Sequence, residues 1–228
     1  AIFLSGSKSY NENERFARMQ ENGRYALNLL ADELAMAGYW AKLSNPVTIT
    51  FGALVLAPSC GMNLSAATPI AIANQATTAT ATNFCIDADE QFVEGTDILA
   101  IKHVRGEPVT DPATAVADRV YLRATTSSGI LLQYSAAPDM GQVDWEYVPR
   151  IYFIRNVPDP DNADNLIPTL SMKYLNVLSM NNREDLVDGI EEPGHEHLEP
   201  DVPFGVDLRI EEDFGPPHPV VDRPSQVG

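Results

Sequence analysis

"RMQENGRYALNLLADELAMAGYW", residues 18–40, decides how the rest of the chain is read. Together with the residues just before it, this stretch places Phe16, Met19, Gly23, Leu27, Leu30, Leu34 and Ala37 at steps of 3, 4, 4, 3, 4 and 3. That spacing lines them up on one stripe of an α-helix. Ala26, Leu29 and Ala31 widen the stripe, while Arg15, Glu21, Arg24, Asn28 and Asp32 fall mostly elsewhere. The pattern predicts a helix from residue 2 to about residue 40, and at 1.5 Å per residue it spans roughly 55–60 Å. One small domain does not need that length, so part of the helix should project, and "SGSKSYNENER" (5–15) is its more polar half. Burying Phe16, Leu27, Leu30 and Leu34 would stabilise the packed state by about 1.5–3 kcal/mol each. Gly23 costs about 1 kcal/mol against alanine in a helix interior; on the packing stripe it admits a close neighbour. Gly38 is a stop signal.

The 228 residues are 44% hydrophobic and 21% charged, ordinary for a folded protein with one sizeable core or two small ones. The formal net charge is −17. Such a balance argues against nucleic acid, whose partners need a basic face, and against an anionic membrane surface. The acid is unevenly spread. Lys8, Arg15, Arg18, Arg24 and Lys42 balance Glu12, Glu14, Glu21, Asp32 and Glu33, so residues 1–42 are neutral and the body carries the whole charge.

Two cysteines, Cys60 and Cys85, bracket a segment rich in Ala, Thr, Asn and Pro. Two reduced thiols in a cytosolic protein would fit the count. The loop-like segment between them favours one disulfide in an exported protein, worth roughly 3–4 kcal/mol in the chain-entropy model. No run is as long as a membrane span, and no signal peptide is present. "AIFL" (1–4) reads as the trailing end of an apolar segment.

Strand-like texture begins with "PVTITFGALVLA" (46–57), and residues 58–85 read as a long surface excursion. Alternating runs follow: "TDILAIKHV" (96–104), "DRVYLRAT" (118–125), "GILLQYS" (129–135), "WEYVPRIYFIRN" (145–156) and "IPTLSMKYLN" (167–176). The links "TSSG" and "VPDPDNADNL" are turn chemistry, which predicts antiparallel hairpins between consecutive runs. The expected fold class is α+β, a long N-terminal α-helix packed on an antiparallel β-sheet, with an irregular acidic C-terminal region. The expected divisions are a helix at 1–42, a sheet domain at 43–213, with "VDLRIEE" (206–212) as a possible last strand, and an extended Pro-rich tail at 214–228.

The words "FLSGSKSY", "ARMQENGRYALNLLADELAMAGYW", "GTDILAIKHV", "YVPRIYFIRN" and "LVDGIE…FGVDL", in this order, resemble the PilW-type minor pilins of the type IV pilus. The specific part of the resemblance covers residues 3–40, and a looser part reaches residue 208. It implies a pilin-like fold and a prepilin whose hydrophobic first helical half precedes Ala1. That half would anchor the precursor in the inner membrane before the protein is drawn into a filament. It further implies a structural role, with no catalysis and no cofactor, in a tip or priming complex. The partners would be other minor pilins, the major pilin and a tip adhesin, and the final location the extracellular pilus. Tyr10, Arg15, Arg18 and Arg24 are the expected partner contacts on the helix. Relatives of this type often carry a glycine-cysteine pair after "AGY"; Trp40, Ala41 and Lys42 stand there instead, so the Cys60–Cys85 pairing is not implied by the resemblance.

Two other readings stay open. A minor pseudopilin of type II secretion shares the helix-then-sheet plan. An exported surface-binding module could hold Ca²⁺ at "DPDNADN" (159–165), where Asp159, Asp161 and Asp164 offer oxygen ligands without the glycine and distal glutamate of an EF-hand. A turn capped by Asx side chains explains the same letters. "GHEHLE" (194–199) places His195, Glu196, His197 and Glu199 together but is not HExxH, and solvated side chains in a proline-broken loop account for it. No GxSxG and no phosphate-cradling glycine loop is present, and His103 reads as structural or exposed.

Overall fold

Ile2–Met36 form one uninterrupted helix, α1. Its end is set by Gly38, whose φ of +75° is a conformation that side-chain-bearing residues rarely adopt. There the chain turns onto the sheet: the Gly38 amide donates to the Lys102 carbonyl at 3.0 Å, and the Val104 amide donates to the Tyr39 carbonyl at 3.0 Å. The computed structural model describes residues 2–45, 48–51, 60, 68–110, 113, 115–116, 119–134, 142–159, 162–176 and 179–188.

Beyond α1 come β1 (Ile49–Phe51), β2 (Ile70–Ala73), a short helix α2 (Thr78–Asn83) and a 3-10 turn (Ala88–Glu90). Six further strands follow: β3 (Ile98–Val104), β4 (Val120–Ala124), β5 (Gly129–Gln133), β6 (Val143–Pro158), β7 (Leu166–Asn176) and β8 (Ser179–Asp188). The sheet runs β1-β5-β4-β6-β3-β2, with β7 paired to β6 and β8 to β7. β6 organises it. Its 16 residues pair with β4 across 143–146, with β3 across 147–152 and with β7 across 150–158. A strand that long, pairing with different neighbours along its length, accumulates twist and curls the sheet.

The expected α+β, pilin-like arrangement is therefore corrected. The described residues are mostly β, eight strands curled into a half-barrel against only two α-helices, instead of a long helix packed along a sheet. The pairing departs from a simple meander too. β4–β5, β6–β7 and β7–β8 are hairpins between consecutive strands, but β3 pairs with β6, β4 also pairs with β6, and β1 lies parallel to β5. β3 and β4 are separated by the Gly106–Pro108 stretch and a long link, so no tight turn forces them together.

The core has three parts. Cross-strand partners share a face, and residues alternate between faces. On one side Ile98, Ala100, Ile151 and Phe153 pack with Phe84, Cys85 and Ile86 around the disulfide. Trp40, Val104, Leu122, Leu131, Trp145 and Tyr147 fill the β1-β5-β4 end. On the opposite side Leu99, Ile101, Tyr152, Leu170, Met172 and Val187 receive Ala26, Leu30 and Leu34 of α1 and Ala37 just past its end.

The described residues all belong to one compact unit within 1–196. Residues 189–228, with "VDLRIEE", the tail and the His195, Glu196, His197 and Glu199 group, lie outside the described residues, as does Asp161.

Candidate interaction surface

α1 divides into two parts with different surroundings. Its last third sits on the sheet: Ala26 is buried, and Leu29, Leu30, Leu34 and Ala37 are partly buried against it. Several large side chains of α1 instead reach solvent, with Tyr10 69%, Phe16 49% and Tyr25 54% exposed ahead of that contact and Leu27 56% exposed within it. The expected packing stripe thus splits. Leu30, Leu34 and Ala37 reach the sheet, Met19 is half-buried, and Phe16 and Leu27 stand clear. Asn22 supplies the reason for Phe16. Its Nδ2 donates to the Asp188 carbonyl at 2.9 Å and to Asp188 Oδ1 at 3.1 Å, at the very end of β8, so little sheet lies beneath earlier turns. Leu27 is turned about 100° round the helix from buried Ala26 and points off the flank. Gly23 admits no close neighbour either, since a Cβ there would meet nothing within 4 Å. Arg15, Arg18 and Arg24 are exposed, and Arg18 Nη2 donates to Glu14 at 2.7 Å, an i,i+4 pair worth about 0.3–0.5 kcal/mol.

Where α1 meets the sheet, one carboxylate is set into the contact. Glu33 pairs with Arg150 of β6, and its Oε2 lies 3.3 Å from His103 Nε2 of β3. His103 Nδ1 lies 3.0 Å from the Val104 carbonyl. Both of its neighbours offer oxygen acceptors to the ring. Burial, which alone would raise the Glu33 pKa, is outweighed by the His103 hydrogen bond and the Arg150 charge, and the carboxyl is held below its usual range. Tyr152, beneath it, is pushed up to about 12 by burial and by the Glu33 charge.

A second polar cluster holds the disulfide region to the opposite face. Cys60 and Cys85 are joined, with Cα atoms 4.8 Å apart, so the expected bridge is present. Buried Lys173 donates to the Cys85 carbonyl and, at 2.7 Å, to Glu90 Oε2. Glu90 also accepts from Arg183 at 2.9 Å and from the Asp87 amide at 2.8 Å. Arg155 donates to the Glu90 carbonyl at 2.9 Å and to Asp185 at 2.8 Å, while Ser171 donates to Asp185 at 2.6 Å. These bonds saturate the charges, as buried ions require, and make the cluster a structural tie. Burial also lowers the Lys102 amine to about 8.

In the 159–165 loop the Asp159 amide donates to the Asn165 carbonyl at 2.8 Å, and Asn165 Nδ2 donates to Asp159 Oδ2 at 3.2 Å. The Asp164 amide donates to Asn162 Oδ1 at 3.3 Å. Asx bonds of this kind close the β6–β7 hairpin. Among the described residues no group of three or more His, Cys, Asp or Glu is placed to hold a metal ion.

Sequence reading missed the Glu33–His103–Arg150 contact and the Glu90 cluster. The signal for both was a charged or polar residue inside an apolar strand run, as in "LAIKHV" and "LSMKYL", where a strand buried on both faces has no solvated side to offer. The chain was compared with known protein families, with curated proteins and with solved structures, and none of the three comparisons finds a match.

Proposed function

We propose that this protein is a non-catalytic assembly component, a minor pilin of the PilW type that helps to start a type IV pilus as part of a tip complex. One observation carries the reading: α1 presents Tyr10, Phe16 and Tyr25 to solvent ahead of its sheet contact, and Leu27 to solvent on the flank of that contact. Large apolar side chains gathered on one exposed rod are the usual mark of a partner-binding surface. A neutral helix joined to an acidic body suits a rod that packs among other helices while the charged body faces water. The resemblance in residues 3–40 supplies the kind of partner. The reading does not draw on the architecture of the sheet.

Other minor pilins, the major pilin and a tip adhesin are the proposed partners, with no cofactor. The chain would be held in the inner membrane before assembly and reach the pilus tip afterwards. The test is co-expression of the full-length protein with the minor pilins and tip adhesin encoded beside it. Co-purification of the set is the expected result. Intact piliation in a clean deletion strain contradicts the proposal, and loss of type II secretion in that strain with pili unaffected assigns the protein to the pseudopilins.

A further inference from the structure

The attachment of α1 to its sheet is unusual in what it is made of. Only Ala26 among its apolar residues is fully buried there, and the four others are partly exposed. The contact is closed by Asn22 on Asp188 at one end and by Glu33 on His103 and Arg150 at the other. Just beyond Glu33 the chain is stitched to β3 by the backbone bonds of Gly38 and Tyr39. A rod fixed at one end, resting on a thin apolar strip and fastened by the Glu33 ion pair and the Asn22–Asp188 hydrogen bonds is built as an arm on a hinge.

We propose that α1 is such an arm, that Glu33 is its latch, and that protonation of this carboxylate releases the helix from the sheet while the disulfide-tied half stays folded. The charges around Glu33 give the direction. From β3 it faces His103, and from β6 Arg150 and Tyr152. β7 adds Tyr174, opposite Arg150, and β8 adds Glu184, opposite Met172, to the same face farther across the sheet. With Glu33 ionised the cationic Arg150 and the His103 ring share one anion. With Glu33 neutral the Arg150 guanidinium loses its counter-charge and the His103 ring its anionic neighbour, at a partly buried site where the loss is weakly screened.

The sign follows from the lowered Glu33 value. A carboxyl depressed in the folded state contributes docking energy above its unfolded pKa, and that contribution is lost as pH falls through the folded value. Release is thus an acid event. It is independent of which partner the helix meets, so it stands or falls separately from the assembly reading.

Hydrogen exchange on the full chain, followed by mass spectrometry and corrected for intrinsic rates, tests it. Peptides covering 26–36 should lose protection severalfold as pH falls from about 6 to about 3.5, with 84–92 losing clearly less. Glu33→Gln should flatten that dependence and leave the helix loosely docked throughout. Arg150→Gln, which removes the cation but keeps the carboxylate, should move the release midpoint to higher pH. Helix and sheet opening together, a Glu33→Gln profile as steep as the parent's, or an unmoved Arg150→Gln midpoint each overturns the latch. Should Glu33→Gln fail to fold, the Arg150→Gln midpoint decides alone.

Discussion

Gly23 lies inside α1 and Gly38 just past its end, and the two have opposite standing. A Cβ at position 23 meets nothing, so Gly23→Ala should raise thermal stability by about 0.5–1 kcal/mol through helix propensity alone. If a partner helix packs there, the same variant should weaken assembly while stabilising the monomer. At position 38 a Cβ would meet Pro69 Cγ at 3.1 Å in a backbone conformation with φ +75°. Gly38→Ala should therefore cost about 1–3 kcal/mol, read from the unfolding midpoint. Tyr147 makes a third case. Its hydroxyl is buried without a hydrogen-bond partner, and burial pushes its pKa up. Tyr147→Phe removes only that atom, so denaturant unfolding should find the variant equal to the parent or up to about 2 kcal/mol more stable. Of these features, the stop at Gly38 was legible in the sequence, because it follows the last periodic leucine. The Tyr147 environment was not, since an aromatic in an alternating run says nothing of what its oxygen meets.

At the scale of elements, α1 was legible in kind but not in what it touches. Period 3.6 identifies an apolar stripe; it does not say how far the surface beneath that stripe extends. The two halves should answer mutation differently. Leu30→Ala and Leu34→Ala should each cost about 1–3 kcal/mol, below the range for fully buried leucine because both are partly exposed. Phe16→Ala and Leu27→Ala should change stability by no more than about 0.5 kcal/mol. Thermal or urea unfolding of the four variants checks the division. Five strand runs from 96 to 176 became β3 to β7 because alternating or continuous apolar residues bounded by turn letters leave little choice. β2, α2 and β8 were missed, each for its own reason. "IAIA" is short and sits in a segment that reads as loop, and "TATATN" is a poor helix former that relies on Thr77 accepting from the Thr80 amide. "SMNNREDLVD" is a polar edge strand, charged in the manner that discourages edge-to-edge pairing.

Among the described residues a helix with solvent-facing turns joins a curled sheet tied by one disulfide. Reduction under conditions that admit the reductant should lower stability by about 3–4 kcal/mol, measured as a fall in the unfolding midpoint. Acid should weaken the fold as well as the latch. At Asp185 burial, which would raise its pKa, is outweighed by the Ser171 hydrogen bond and the Arg155 charge, so its value is lowered and its contribution disappears as pH falls below about 4. The fold class was not legible at this scale. The order helix-then-strands suggests a layered α+β protein, and nothing in local pattern reveals that β6 pairs with three neighbours and curls the sheet. The solvent-facing side of α1 as a partner surface is the claim on which the functional account turns. Photo-crosslinking amino acids placed at positions 16, 27 and 34, in cells that make the full-length protein, test it most directly. The account predicts crosslinks to other filament subunits from 16 and 27 and none from 34, which faces the protein's own sheet. Equal intermolecular yield at all three positions, or none at 16 and 27, would contradict it.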